Sequence, residues 1–137
     1  MAVLYADASA LVKLVREEAE SAALRAYLQD ADLVSSELVL AEIPRAVRRA
    51  AAQEPALPLD LLLERAAELL AVLALRPIDR GLLSAAGALA EPALRALDAI
   101  HVASAVDLDP LEAFVTYDER QASAARLAGL RTMTPGA

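Results

Sequence analysis

Short apolar runs alternate along the chain with longer segments of helical periodicity. The first run, VLYA at Val3–Ala6, has the length and composition of a buried strand. Apolar residues then recur at helical spacing in residues 9–15 and again in residues 18–28. This pattern predicts one strand followed by two helices at the start of the chain.

The rest of the chain continues the alternation. Ser36 stands where a residue that caps the next helix is expected, and Pro55 and Pro58 mark a loop. Further strands or extended pieces are predicted at residues 33–35, 74–79, 113–118 and 131–135. Further helices are predicted at residues 37–52, at 59–73, after Gly81, at 93–108 and from 119 to near 129.

Strands that alternate with helices indicate βαβ units, in which the strands are parallel and the helices cover both faces of the sheet. We therefore predict an α/β fold, a three-layer sandwich with a short central parallel β-sheet flanked by helices. The 137 residues contain no internal repeat, low-complexity linker or visible domain boundary. A single domain spanning residues 1–137 is expected.

Composition narrows the class of protein. A hydrophobic content of 58% and a mean hydropathy of +0.41 argue against disorder. The absence of cysteine excludes a disulfide framework, a thiolate metal site and a thiol nucleophile. No apolar run approaches the length of a membrane span, and the N-terminus lacks the basic region and cleavage site of a signal peptide. We therefore expect a cytoplasmic protein with no membrane partner.

The net charge of −7 argues against a protein that coats nucleic acid through a basic surface. It does not exclude an enzyme whose acidic residues converge on metal ions, because a bound cation reverses the local sign of the charge. The position of the acids along the chain is therefore more informative than their number.

Two predicted strands end in aspartate: Asp7 follows VLYA, and Asp118 follows FVTY. In a parallel sheet both would lie at the carboxyl edge, where open α/β sheets keep their active sites. Aspartate also caps helices, and a helix follows each of these residues. The local sequence leaves both interpretations open.

Two more acids lie inside apolar helical segments, namely Glu42 in LVLAEIPRA and Asp98 in LRALDAIHVASA. Charged residues are rarely buried unless they are paired or bound to a metal. Glu42 could instead lie on an exposed face with Arg45 and Arg49, whereas the surroundings of Asp98 are more apolar. If the four acids converge, their oxygens suit Mg²⁺ or Mn²⁺, which would activate a water for attack on a phosphoryl group.

Four segments together resemble the ordered motifs of PIN-domain ribonucleases, and most closely the VapC-type toxins of bacterial toxin–antitoxin pairs. They are YADASALVKL, LVLAEIPRAV, LRALDAIHVASA and FVTYDERQASAARLAGL, and the resemblance runs almost from end to end of the chain. It implies a metal-dependent endoribonuclease that acts as a toxin, with an antitoxin protein as partner, RNA as substrate and a homodimer as the assembly.

The resemblance also implies roles for individual residues. Asp7, Glu42, Asp98 and Asp118 fall on the acidic metal-site positions of the family. Ser9 falls on the small hydroxyl residue that supports the first aspartate, and Thr116 on the hydroxyl of the last site strand. Asp7 is then a metal ligand first, and capping is at most its second role.

Some residues fit this pattern less directly. Pro44 lies two residues after Glu42, so the helix either kinks there or starts later than the periodicity indicates. His101, the sole histidine, is interpreted as a structural hydrogen-bonding group, with a general base as the alternative. Glu119 is an auxiliary acid at most. Three other acids, Asp79, Asp107 and Asp109, are expected in loops or at helix starts, where acids are common.

Two other functions remain in competition with the nuclease. A catalytically weak PIN-like protein-binding module would not require all four acids. A phosphoaspartate protein would need a second aspartate two residues after Asp7, where Ser9 stands, or a late lysine, whereas the only lysine is Lys13. For the toxin, we expect an amphipathic antitoxin segment to bind a groove that includes Leu11, Val15 and Leu38, with an arginine placed among the carboxylates.

Overall fold

A computed structural model of the protein describes residues 2–137. The strands are β1 (Val3–Ala6), β2 (Asp32–Ser36), β3 (Ala74–Arg76), β4 (Ala113–Val115) and β5 (Thr132–Met133). The helices are α1 (Ala8–Val15), α2 (Ser21–Leu28), α3 (Val39–Gln53), α4 (Leu59–Val72), α5 (Arg80–Gly87), α6 (Ala96–Asp107) and α7 (Glu119–Leu127). No helix within residues 2–137 is both long enough and apolar enough to cross a membrane.

The five strands form one parallel sheet in the order β3-β2-β1-β4-β5. The chain builds outward from β1 through β2 to β3, then returns to the other side of β1 for β4 and β5. The gap between β1 and β4 is therefore the point at which the winding direction changes. In open α/β sheets, ligands bind outside the carboxyl ends of the strands at such a point.

Side chains alternate strictly between the two faces of the central strands. In β1, Leu4 and Ala6 pack against one group of helices, while Tyr5 points to the opposite face. In β4, Val115 lies on the first face and Phe114 on the second, where its ring stacks on Tyr5 at 5.1 Å. The first core takes its helical residues from α1, α2, α3 and α4, and the second from α6 and α7. The predicted α/β fold class, with helices on both faces of a parallel sheet, is confirmed.

Element boundaries differ from the predictions mainly at the start of α3. We predicted that Ser36 caps this helix, but Ser36 is the last residue of β2 and pairs with Arg76 of β3. Its hydroxyl accepts a hydrogen bond from the amide of Leu38 across the turn that follows, and the helix begins at Val39. Pairing with a neighbouring strand extends β2 through a residue whose side chain is also suited to a helix cap.

Helix α3 starts later than the periodicity indicates, and this start explains how the helix contains Pro44. Pro44 lies in the second turn of the helix, so it cannot donate the backbone bond that would reach the carbonyl of Leu40. Leu40 is exposed on the helix surface, where solvent can satisfy a free carbonyl. Helix α3 therefore continues through the proline to Gln53 and carries Glu42 in its first turn.

Candidate active site

Two neighbouring strands each end in an aspartate. Asp7 follows β1 and is the N-cap of α1, while Asp118 follows β4, three residues after the end of that strand, and is the N-cap of α7. The two strands are adjacent in the sheet, and the amide of Asp7 donates to the carbonyl of Val115 over 3.2 Å. Both aspartates therefore belong to the same part of the carboxyl edge, and each also caps a helix.

The Asp7 carboxylate is buried, with 2% of the residue exposed, and accepts four hydrogen bonds. Oδ1 accepts from the Ser9 hydroxyl at 2.6 Å and from the amide of Ala10 at 3.1 Å. Oδ2 accepts from the Thr116 hydroxyl and from the Gln121 amide nitrogen, the latter at 2.6 Å. The donors come from α1, from the end of β4 and from α7, so three separate segments fix the direction of this carboxylate.

Burial decides the electrostatic state of Asp7. Removal from water raises the pKa of this carboxyl above its ordinary value, although the bonds from Ser9 and Thr116 act in the opposite direction. None of its hydrogen-bond donors is a lysine or an arginine. Negative charge is therefore costly at this position unless a cation comes to it.

Ser9 and Thr116 also join the two strand ends to each other. Each hydroxyl has one hydrogen, which is directed to Asp7, and each also accepts a backbone amide. Ser9 accepts from Tyr117 at 2.9 Å, and Thr116 accepts from Asp118 at 3.0 Å. The two hydroxyls fix the position of Asp7 and, at the same time, the backbone that presents Asp118.

Asp98 lies in the first turn of α6 and is partly exposed. Partial burial raises the pKa of Asp98, and the negative charge of Asp118 is the next largest cause, with smaller contributions from Asp7 and Glu42. His101 acts in the opposite direction. The four predicted acids thus lie near enough to each other for Asp98 to experience the charge of the other three.

A buried chain of polar groups ends at Glu42. The carboxylate Oε1 of Glu42 is 2.6 Å from Nε2 of His101, and Nδ1 of His101 is 2.7 Å from the Tyr5 hydroxyl. An ionised carboxylate can only accept, so Nε2 must carry a hydrogen. In the neutral imidazole, Nδ1 then accepts from Tyr5, whose pKa is raised by burial so that the phenol keeps its proton. The imidazole and the phenol hold Glu42 in one orientation.

These four acids fit a divalent cation by the chemistry of their donor atoms. All are oxygen donors, and among residues 2–137 no lysine or arginine forms an ion pair with any of them. Within the same part of the chain, no three histidine or acidic side chains are close enough together to bind one ion directly. Mg²⁺ typically takes only one or two carboxylates and completes its shell with water and substrate phosphate. The arrangement thus suits an open site rather than a closed cage.

The other acids considered in the sequence have ordinary structural contacts. Glu119 is exposed and pairs with Arg126 at 3.0 Å, so it takes no part in the acidic cluster. Asp79 caps α5 and contacts Arg76, which also contacts Asp107. Asp109 accepts the amide of Leu111. Each of these acids is satisfied by its own local structure.

One sequence prediction about this region is wrong. Leu11 and Val15 are buried in the core and cannot line an antitoxin groove. Both point inward from α1 because they share the helix face that packs on the sheet. Leu38 is partly buried and packs beside α5 and α6. An open groove next to the site lies elsewhere, between α1 and α3.

Two contributors to the site were not identified from the sequence. Gln121, with 1% exposed, carries one of the donors to Asp7, and Tyr5 holds His101. Gln121 appears in the sequence as an ordinary polar residue in the first turn of a helix. The sequence carries no signal for its role, and only the folded chain shows that Gln121 lies on the buried face of α7 with Ala122, Ala124 and Ala125.

Comparison with known proteins agrees with the geometry. The PIN domain family matches residues 4–127 of the chain. Ribonuclease VapC35 of Mycobacterium tuberculosis is 40% identical over 141 residues, which cover 98% of each chain. Ribonuclease VapC46 of the same organism is 39% identical over 146 residues, covering 98% of this chain and 99% of its own. Ribonuclease VapC47 is 38% identical over 141 residues, with 98% of each chain covered.

Proposed function

The chain belongs to the PIN-domain ribonucleases of the VapC type, and on that premise we propose that Asp7, Asp98 and Asp118 hold the divalent cation with which it cuts RNA, with water between the cation and those carboxylates that do not contact it directly. The protein is a toxin endoribonuclease, a hydrolase that breaks phosphodiester bonds of RNA. One observation carries the proposed site: carboxylates from four segments lie near the carboxyl ends of β1 and β4, and among residues 2–137 no lysine or arginine forms an ion pair with them.

Asp7 is the fixed ligand of this site. Its four hydrogen bonds leave the carboxylate a single orientation, so no side-chain freedom is lost when a cation binds. Ser9, Thr116 and Gln121 act as positioning residues, since each donates a hydrogen bond to Asp7. Loss of a group that orients a ligand in this way typically lowers metal affinity or activity 10–100-fold.

Asp98 and Asp118 are the adaptable ligands. Both are partly exposed, and the Oδ1 atom of Asp118 is directed to the amides of Arg120 and Gln121. Repulsion between these carboxylates weakens when a cation enters, so binding should stabilise the folded protein as well as activate it. The hard oxygen donors favour Mg²⁺ or Mn²⁺.

Glu42 is assigned to the water that attacks the phosphorus atom, as its orienting group and proton acceptor, or to the cation as a further ligand. His101 donates to one carboxylate oxygen of Glu42, and the Glu42 side chain borders the open groove beside the site. A bound divalent cation supplies Lewis-acid polarisation of a phosphoryl oxygen and makes a nearby water more acidic. His101 is itself buried behind Glu42, so it acts through that carboxylate and not on RNA.

The proposal includes the partners expected of a toxin. We place the protein in the cytoplasm as a homodimer that a cognate antitoxin silences. Exposed apolar side chains on α4, including Leu61 at 43% and Val72 at 80%, support association with a second copy. An antitoxin arginine could pair with Asp98 or Asp118 and take the place of the cation, because a guanidinium matches a carboxylate in bidentate geometry. We treat residues 1–137 as one PIN-like domain.

A second candidate function is a catalytically weak PIN-like module retained for protein binding. The fold alone is compatible with it, but the relatives are named ribonucleases, and a binding module gives no reason for the Tyr5–His101 chain that orients Glu42. We therefore favour the enzyme.

The test is cleavage of RNA by the purified full chain with Mg²⁺ or Mn²⁺, with EDTA, and as the Asp98→Asn variant. We expect cleavage only with a divalent ion, and loss of cleavage in Asp98→Asn with a melting temperature at least as high as that of wild type. Undiminished cleavage in EDTA would refute the metal site. An inactive wild type with every divalent ion supplied would favour the binding module.

A further inference from the structure

A groove runs between α1 and α3 directly beside the acidic cluster. It has a volume of about 520 Å³, and its wall includes Ser9 and Glu42, both of which belong to the site described above. Along α3 it continues past Arg45 and Arg49, one and two turns beyond Glu42. Ala8 and Val12 of α1 and the exposed Leu97 complete an apolar lining.

The guanidinium groups in this groove are without acidic partners. Six of the thirteen basic residues form ion pairs within residues 2–137, and three of the other seven lie together in α3, namely Arg45, Arg48 and Arg49. All three are exposed. In a chain with a net charge of −7, acids are numerous enough to neutralise them, so this cluster of unpaired arginines beside four carboxylates is unusual.

Position along the helix separates these arginines into two groups. Arg45 and Arg49 are four residues apart and share the face that borders the groove with Ala41, Glu42 and Ala46. Arg48 lies on the same turn but does not border the groove. Two neighbouring cations thus line one path that leads to the acids.

We propose that this groove binds the RNA chain next to the cleavage point, with Arg45 and Arg49 contacting its phosphates and the apolar lining contacting the adjoining nucleoside. The inference rests on the proposed function, because Ser9 and Glu42 fix the end of the groove at which the scissile phosphate lies. Arginine forms bidentate contacts with phosphate, and phosphate contacts set the register of a nucleic acid on a protein. The two arginines also offset the repulsion between RNA and the carboxylates.

The experiment measures binding separately from cleavage. In the full chain carrying Asp98→Asn, the affinity for a fluorescein-labelled single-stranded oligoribonucleotide of mixed sequence is measured by anisotropy at several salt concentrations. The variant Arg45→Gln with Arg49→Gln is compared with Arg48→Gln with Arg65→Gln. The control removes the same charge from two exposed arginines that are also unpaired and lie outside the groove.

We expect the groove variant to bind RNA several-fold more weakly than the control. Its logarithmic salt slope should fall by about 1.4, since each phosphate contact on a single strand contributes about 0.7. In the wild-type background the same change should raise KM for RNA far more than it lowers kcat. Circular dichroism melting should be unchanged because both side chains are exposed.

Equal affinity and equal slope in the two double variants would overturn the proposal. It would also be overturned if RNA binding were unchanged while affinity for the cognate antitoxin fell, because the groove would then serve a protein partner. Metal-dependent cleavage by the wild type is assayed in parallel. A failure there would refute the proposed function, whereas intact cleavage with equivalent double variants would refute the groove alone.

Discussion

Asp7 and Asp79 occupy the same local position, yet their environments are opposite. Each is the extended N-cap of a helix, and each accepts a hydrogen bond from the amide three residues ahead, Ala10 in one case and Leu82 in the other. Asp79 is exposed and contacts Arg76, and the cap bond from the amide of Leu82 together with the Arg76 guanidinium holds the pKa of its carboxyl below the ordinary value. Asp7 is buried among neutral donors, and burial raises its pKa.

The difference shows how a capping residue becomes a candidate ligand. A cap needs one oxygen directed at the helix, which both residues supply. Asp7 gains three further donors that no cap requires and lacks the cation that an ordinary acid would have. The local sequence around the two residues does not distinguish them. The sheet does, because it brings Thr116 and Gln121 to Asp7 from more than a hundred residues away.

The largest expected difference between the two caps is in catalysis. Asp7→Asn should lower RNA cleavage at least about 100-fold, the upper end of what loss of a supporting group costs a metal site. The amide keeps the shape of the side chain but gives up one charged oxygen. Asp79→Asn should leave cleavage at the wild-type rate. Initial rates at saturating Mg²⁺ measure both, and a comparable loss in the two variants would show that Asp7 and Asp79 do not differ in their importance for catalysis.

A smaller effect is expected for the groups that hold the acids. Gln121→Leu and His101→Ala should each reduce cleavage about 10–100-fold, because they release Asp7 and Glu42 respectively. The Mg²⁺ concentration for half-maximal rate should rise in Gln121→Leu. Ser21→Ala is the matched control, since Ser21 is equally buried but bonds the backbone of Lys13 away from the acids. A change of Mg²⁺ requirement in the control would show that any buried polar deletion has this effect.

When divalent ions are chelated, Asp98 and Asp79 should make the stability of the protein change with pH in opposite directions. Asp98 has a raised pKa, so its ionisation destabilises the fold, and this cost appears as pH rises from the ordinary value of 3.8 through the raised one. Asp98→Asn should therefore gain stability over wild type across that interval. Asp79 has a lowered pKa, so its contribution is present above 3.8 and is lost as pH falls. Urea unfolding of wild type and both Asn variants at several pH values checks this, and parallel pH profiles would contradict it.

The smallest effect is expected from removing the ordinary cap. Asp79→Ala should lower the melting temperature by a few degrees, because the amide of Leu82 and the guanidinium of Arg76 lose a partner at the protein surface. RNA cleavage below the new transition should not change. A melting temperature equal to that of wild type would mean that solvent replaces this cap at no cost.

The sequence predicted the fold well because its signals are local. The apolar run of β1 and the helical period of α4 and α6 are visible without knowledge of the partners. The predicted element boundaries were less accurate where pairing between strands overrides a local preference. Ser36, for example, belongs to β2 because it pairs with β3. The end of α7 was easier to predict from the sequence, because glycine commonly ends helices and Gly129 adopts a positive φ of 90° just beyond the last turn.

The site could be predicted only in part, for the same reason. Acids at strand ends and inside apolar helices can be identified along the chain, and the family resemblance added Ser9 and Thr116. Gln121 could not be found, because its importance depends on the packing of α7 beside β1 and not on its neighbours in sequence. The contact of His101 with Glu42 could not be predicted either, because the two residues lie in different helices and are 59 positions apart in the sequence.

The strand order has a consequence for the cell that makes this toxin. Strand β4 is inserted beside β1, but it is translated about a hundred residues after β1, and Thr116, Asp118 and Gln121 follow it. While the ribosome is still making residues 1–112, the edge of β1 has no partner and Asp7 lacks two of its four donors. If Asp7 binds the cation as proposed, a nascent chain without residues 113–121 is expected to be inactive towards the RNA that surrounds it. This delay would give an antitoxin already present in the cell time to meet the newly folded protein.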